Sequence, residues 1–329
     1  EPLRPGSISS NSVRRIYEDD IGDIWIGTYP SGVNVYDRST SAIRVFRSQT
    51  DLTQGLLGAN VEAVEEDAEG NLWIGANGVP RYNPKNDSLT HYRNTTGSDS
   101  RISSTSILNG LVDSDGQLRF GSWGHGILVY DRRKDRFEEL PVDTTQTSRG
   151  NRTGTLLNDR MVWSIYEDRR KELWIATHYN GLTRYNKRTG IYTFYPHSDQ
   201  DPNSLSSTVV WTTFEDSRGR FWVGTAHGLN LMDRDRGTFK RYYAQPGKPR
   251  SLANSSVLAI YEDRSGRVWF GTDAGLHLYH QETDDFTVFD TRNGFVDHGI
   301  RAIIEDPSGN LWLGTNNGVV MFNPDSGLV

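Results

Sequence analysis

The tryptophan of a Trp-Ile-Gly-Thr motif, first seen at Trp25–Thr28, returns along this chain at nearly even intervals, and that return constrains the fold more than any other feature. It falls at Trp25, Trp73, Trp174, Trp222, Trp269 and Trp312, with Arg119 in the equivalent place of a third copy. Successive spacings are 48, 46, 55, 48, 47 and 43 residues. Twelve residues before each stands an apolar residue that opens a strand: Val13, Val61, Ile107, Val162, Val210, Val257 and Ile300. Fixed-period self-similarity of this kind marks a repeat architecture.

Val257–Tyr279 shows the unit most plainly. VLAIYE reads as a strand, DRSG as a turn, RVWFGT as a second strand, DAG as a tight turn and LHLY as a third strand; Phe286–Phe289 adds a fourth apolar run. Short runs of β-forming residues bounded by Gly and Asp are hairpin signals. Glycine marks the first turn at Gly22, Gly70, Gly116, Gly219, Gly266 and Gly309, where the fourth copy has Lys171. Another follows the Trp by two at Gly27, Gly75, Gly121, Gly224, Gly271 and Gly314. A third opens strand three at Gly32, Gly78, Gly126, Gly181, Gly228, Gly275 and Gly318.

Four short strands in about 45 residues match one β-propeller blade. The chain is therefore expected to be all-β, a single seven-bladed propeller over 1–329, with strand-one to strand-three cores near 13–36, 61–82, 107–130, 162–185, 210–232, 257–279 and 300–322. A flat β-solenoid is the rival, but its repeats are shorter and have no need of four strands. Fourth strands are expected near Ile43–Phe46, Leu89–Tyr92, Phe137–Leu140, Tyr192–Tyr195, Phe239–Tyr242 and Phe286–Phe289. In copy seven the fourth would begin at Leu328–Val329, and residues 1–12 align with the linkers that precede strand one elsewhere. The expectation is a segment of a longer array whose last blade is incomplete, with an open edge.

Composition excludes several classes. A net charge of −6 argues against a nucleic-acid binder. No run of 18 apolar residues exists, so no direct membrane insertion is expected from this segment. Zero cysteines remove disulfides and thiolate metal sites. Absence of a signal peptide leaves two expectations, a cytosolic chain or one whose signal was removed.

The pattern V-x-x-I-x-E-D-x-x-G-x-[LIV]-W-[IVF]-G-T-x-x-G-[LV] resembles the two-component regulator propeller repeat, over nearly all 329 residues. Linkers such as Asp201–Ser207 resemble that family's inter-blade connections. The resemblance implies the periplasmic sensor region of an inner-membrane signalling protein, such as a hybrid histidine kinase responding to polysaccharide fragments. It also implies further propeller and signalling domains on the same longer chain.

Six copies end strand one in an acidic pair: Glu18–Asp19, Glu66–Asp67, Glu167–Asp168, Glu215–Asp216, Glu262–Asp263 and Glu305–Asp306. Paired carboxylates can do acid–base work, but their recurrence points to turn-capping by Asp. The repeated Trp likewise reads as packing between blades. Function is expected where copies differ, at the rim built by the two–three turns and the entries to strand one. The candidate ligand-binding residues there are Tyr29, Trp123, His125, His178, Tyr179 and His227 in turns, with Arg14, Arg160, Trp163, Trp211 and Arg301 at entries. Arginines favour carboxylate or sulfate groups, and aromatic faces suit a sugar ring. An oligosaccharide ligand is the expectation, with no catalytic residue, no cofactor and no metal.

His125, His178, His227, His277 and His298 lie near turns or entries, but a metal needs three or more converging ligands. After copy three comes a polar insertion, Asp143–Asn158, expected on the rim side as a loop, with a lid as the alternative. Two other functional readings stay open: a scaffold or homodimer platform with the ligand bound elsewhere, and a polysaccharide lyase-like propeller enzyme using rim His and a metal.

Overall fold

The apolar runs of each copy become antiparallel strands because their side chains alternate between two faces that neighbouring blades cover. In the first copy they are Ser12–Glu18, Ile24–Tyr29, Gly32–Asp37 and Ala42–Phe46, hydrogen-bonded in chain order. The computed structural model describes residues 7–49, 55, 56, 58–94, 101–104, 106–145, 152–295 and 299–329. The fold is a seven-bladed β-propeller of antiparallel sheets: five have four strands, the fourth has five and the last has three. Among the described residues the one helical element is a turn of 3-10 helix at Thr291–Asn293. The chain divides into two compact units, Glu1–Val142 with Arg160–Val162, and Asp143–Asp159 with Trp163–Val329.

Each one–two turn is tied by the Asp of the acidic pair. Asp67 Oδ1 accepts the N–H groups of Glu69 and Asn71, both at 3.0 Å. Its Oδ2 accepts the indole N–H of Trp73 at 2.7 Å. The same bond joins Trp25 to Asp19 and Trp174 to Asp168 at 2.8 Å. It recurs from Trp222 to Asp216 at 2.8 Å, from Trp269 to Asp263 at 2.9 Å and from Trp312 to Asp306 at 3.1 Å. In the third blade Arg119 Nε takes the indole's part, 3.0 Å from Asp113 Oδ2. The acidic pairs are thus structural, as their recurrence suggests.

The Glu of the pair reaches backwards. Glu66 Oε2 accepts the N–H of Asp20 in the preceding blade's turn at 3.0 Å. Glu215, Glu262 and Glu305 do the same for Arg169, Ser217 and Arg264 at 2.8, 2.6 and 2.7 Å. Apolar packing runs across the same junctions within each unit. Trp25, Val33 and Phe46 of the first blade cluster with Val61, Leu72 and Tyr82 of the second. Trp222 of the fifth packs with Val257, Phe270 and Phe286 of the sixth. The glycine two residues after the Trp admits this approach: a Cβ on Gly27 would lie 2.7 Å from the Val61 carbonyl oxygen, and one on Gly271 would lie 2.6 Å from that of Ile300.

Four details depart from the sequence reading. Strand one of the second blade is Ala63–Glu66, not a strand opened by Val61. The Val61 N–H goes instead to Thr28 O of the first blade at 3.2 Å, so the blade's own ladder starts later. The third glycine opens its strand in four copies, while after Gly78, Gly126 and Gly181 the strand starts one residue later. Within the insertion, Arg152–Gly154 is neither loop nor lid: it pairs antiparallel with Tyr192–Phe194 as a fifth strand on the outer edge of blade four. Residues 146–151 of the insertion lie outside the described residues. His277 belongs to strand three and is fully buried. It fills the place of Asn34 and Asn230, whose Oδ1 atoms accept linker N–H groups from Ser9 and Ser206 at 2.8 and 2.9 Å; His277 Nε2 accepts that of Ala253 at 2.9 Å. In the last blade Leu328 bridges Asn323 where a fourth strand would begin.

Two measurements check these assignments. Asp67→Ala strips the turn of its acceptor and leaves the Trp73 indole N–H buried without its partner, so urea unfolding at neutral pH is expected to show a loss of about 2–4 kcal/mol. Burial pushes the His277 imidazolium down to about 4 from an ordinary 6.5. A folded-state value below the unfolded one means that the contribution is fully present above pH 6.5 and is lost as pH falls towards 4. The full shift corresponds to roughly 3 kcal/mol. His277→Asn keeps the acceptor and is expected to fold while flattening that part of the stability–pH curve, read as the difference between the two proteins' unfolding midpoints at pH 4.5 and 7.

Candidate functional site

Strand register fixes which segments share an end of each sheet. Ser12 pairs with Tyr29, Val210 with Thr225, Val257 with Thr272 and Ile300 with Thr315, so the entry to strand one and the two–three turn lie together. Just inside that entry the ladder slips between Val13 and Arg15, Val210 and Thr212, Val257 and Ala259, and Ile300 and Ala302. The third blade slips likewise opposite Gly121 and Ser122. A β-bulge of this kind takes one residue out of the ladder and re-aims its side chain. The displaced residues are Arg14, Leu108, Trp211, Leu258 and Arg301, and Trp163 holds the equivalent position in blade four.

In the first unit the predicted residues form two groups. The Arg14 guanidinium lies 5.2 Å from the centre of the Tyr29 ring, which is 44% exposed. On the third blade Trp123 is 40% exposed and its backbone N–H donates to Ser106 O at 2.9 Å. His125 Nδ1 donates to Glu139 Oε1 at 2.6 Å. Arg160 is exposed, and its carbonyl accepts the N–H groups of Gly124 and Gly126. Burial raises the Glu139 carboxyl, but the Ser103 hydroxyl, the His125 ring and the Arg160 charge outweigh it and hold it below its ordinary value. Glu139 was not among the predicted residues, since an acid on a fourth strand carries no local signal.

The second unit brings four predicted residues into one aromatic cluster. Trp163 and Trp211, on neighbouring strand-one entries, meet edge to face at 4.6 Å. His178 lies 5.9 Å from Trp163 and 6.5 Å from Trp211, and Tyr179 stands against His178 at 4.6 Å. Trp163 Nε1 donates to His178 Nδ1 at 3.0 Å, so the ring proton of a singly protonated His178 sits on Nε2. Asp159 Oδ2 fixes the turn by accepting the N–H groups of Tyr179 and Asn180 at 2.8 and 3.2 Å. Tyr179 is 58% exposed. The Trp211 indole nitrogen is buried without a hydrogen-bond partner among the described residues.

Two predicted residues stand outside this cluster. His227 lines a shallow polar cleft of about 510 Å³ with His197, Asp199 and Arg241. Arg301 donates from Nε to Asn316 Oδ1 at 3.0 Å and lies 3.8 Å from Asp273. His298 is outside the described residues. Among the described residues no three His, Cys, Asp or Glu side chains converge as metal ligands. No helix among them is long and apolar enough to cross a membrane.

Comparison with known proteins gives a consistent picture. The family model described as two component regulator propeller matches residues 7–29, 55–78, 156–179, 204–227, 251–274 and 294–317. The unmatched stretch contains the third copy, the one with Arg119 in place of Trp. No curated protein matches the sequence significantly. Among solved structures, the fold is similar to the extracellular domain assigned to the hybrid two component system BT3049 of B. thetaiotaomicron, at 19% identity and a TM-score of 0.78, covering 97% of this chain and 41% of that one. The corresponding domain of BT4673 from the same organism is similar at 22% identity and a TM-score of 0.72, covering 95% and 38%. This chain therefore spans about two fifths of those domains. Virginiamycin B lyase from Staphylococcus aureus shares the fold at 13% identity and a TM-score of 0.63, covering 94% and 93%.

Trp163→Phe removes the half-buried hydrogen bond to His178 and is expected to cost about 1 kcal/mol in urea unfolding, against less than about 0.5 kcal/mol for Tyr179→Phe.

Proposed function

The chain belongs to the two component regulator propeller family, and from that premise we propose that it is an extracytoplasmic, periplasmic ligand-sensing part of a bacterial signalling receptor. It binds an oligosaccharide through the Trp163, His178, Tyr179 and Trp211 cluster and carries out no covalent step on it. The observation that carries this reading is the joining of two indole rings, Trp163 and Trp211, beside a Tyr179 that is 58% exposed. A sugar presents an apolar ring face to such a surface and its hydroxyl groups to the exposed Tyr179 phenol. Further domains of the same longer chain are the proposed route by which binding is reported, with a homodimer as the arrangement that brings two such outputs together.

Titration calorimetry against a panel of neutral and uronate-bearing oligosaccharides tests this. At least one is expected to bind, and Trp163→Ala and Trp211→Ala are each expected to weaken it by tenfold or more, equivalent to about 1.4 kcal/mol. Trp123→Ala, in the first unit, is expected to leave it within about twofold. Binding indifferent to both cluster variants sinks the site assignment, and a panel with no binder favours the scaffold reading.

A further inference from the structure

At the other end of the sheets, beside the one–two turns, the junction between the first and second blades opens into a cleft of about 280 Å³. Its wall is the aromatic group Trp25, Phe46 and Tyr82, with ring centres 5.1 to 5.8 Å apart. Carboxylates of Asp19, Asp23 and Glu66 face it.

The repeat shows what belongs in this space. Between the fifth and sixth blades the Arg220 guanidinium lies 5.5 Å from the Trp222 ring centre and 5.1 Å from that of Tyr279. Its Nε donates to Asp216 Oδ2 at 2.6 Å, the same oxygen that accepts the Trp222 indole. Between the sixth and seventh, Arg267 sits 5.8 Å from Trp269 and donates to Asp263 Oδ2 at 2.5 Å. Between the fourth and fifth, Arg234 reaches in from the following blade to Asp168 Oδ2 at 3.1 Å. Between the second and third, Arg81 on strand three lies 5.4 Å from Trp73.

Three positions therefore supply the guanidinium: two residues before the Trp, opposite the Trp on strand three, or in the next blade's three–four turn. At the first junction these are Asp23, Val35 and Pro84, and none is cationic. Arg44 does not replace them. It lies over Phe46 and Tyr82, donates to the Tyr82 hydroxyl at 3.2 Å and pairs with Asp87 rather than with Asp19 or Asp23, as its counterpart Lys240 lies over Tyr242 and pairs with Asp284 at a junction that also holds Arg220. Burial, with the charge of Asp19 nearby, pushes both Asp23 and Glu66 above their ordinary carboxylate values, a cost that a bound cation offsets.

We propose that this cleft is a binding site for an external guanidinium, stacked against Trp25 and hydrogen-bonded by the Asp19 and Asp23 carboxylates. The planar fork and cation–π attraction that seat Arg220 suit a free alkylguanidinium or an arginine side chain equally. The site is independent of the aromatic cluster of the second unit.

The test is an NMR titration of the whole chain at low salt with ethylguanidinium and with acetyl-Gly-Arg-Gly-amide, following indole N–H signals. The Trp25 signal is expected to shift saturably. Asp23→Arg and Pro84→Arg, which rebuild the arrangements of Arg220 and Arg234, are each expected to weaken that response at least tenfold. Equal response to both probes assigns a small guanidinium ligand, and a tenfold preference for the peptide assigns an arginine of a partner polypeptide. A Trp25 signal unmoved by either probe overturns the proposal in the unmodified protein, as does binding undiminished in whichever plugged variant folds.

Discussion

One carboxylate oxygen, hydrogen-bonded to the side chain six residues on, holds each blade in shape. The Asp at the end of strand one closes the turn with Oδ1 and receives the indole with Oδ2, and so orients a ring that is almost entirely excluded from solvent. That ring is the surface on which the next blade packs. The third blade separates the requirement from its usual agent: Arg119 offers Nε at 3.0 Å to Asp113, so a donor in that place is what the turn needs and an indole is one way to provide it. Asp113 and Arg119 also keep the pair satisfied in a setting where an unpaired carboxylate would be costly.

The fold was legible because its signals were redundant. Register, glycine placement and the Asp–Trp interval pointed the same way in most copies, and where one lapsed, as at Arg119 or Lys171, the others held. Their reasons were less visible: nothing local in Gly27 shows that Val61's carbonyl will lie against it. Departures arose where a distant partner decided the outcome. Val61 left its own ladder for Thr28, and Arg152–Gly154 became a strand because blade four offered an outer edge.

The candidate site was legible in part. Trp163, His178, Tyr179 and Trp211 were each chosen from position, and the bulge that displaces Trp211 leaves no trace in single-residue preferences. Arg160 and Arg301 were chosen from their place at strand-one entries as well as their charge; the first contributes its backbone carbonyl too, and the second is occupied by Asn316. His277 shows the converse, a polar residue near a turn whose task is to accept one linker N–H inside the protein. At the opposite ends of the sheets, comparison among junctions was the informative signal, because the chain supplies its own reference for Asp23, Val35 and Pro84.

The backward reach of Glu66, Glu215, Glu262 and Glu305 gives the chain a direction in time. During synthesis the earlier repeat leaves the ribosome with a main-chain donor in its hairpin still bonded to water, and the acid that will replace that water is dozens of codons away. A newborn repeat at one of these four junctions is completed by its successor, so a pause in translation there leaves the most recently made one as the unfinished end of the growing molecule.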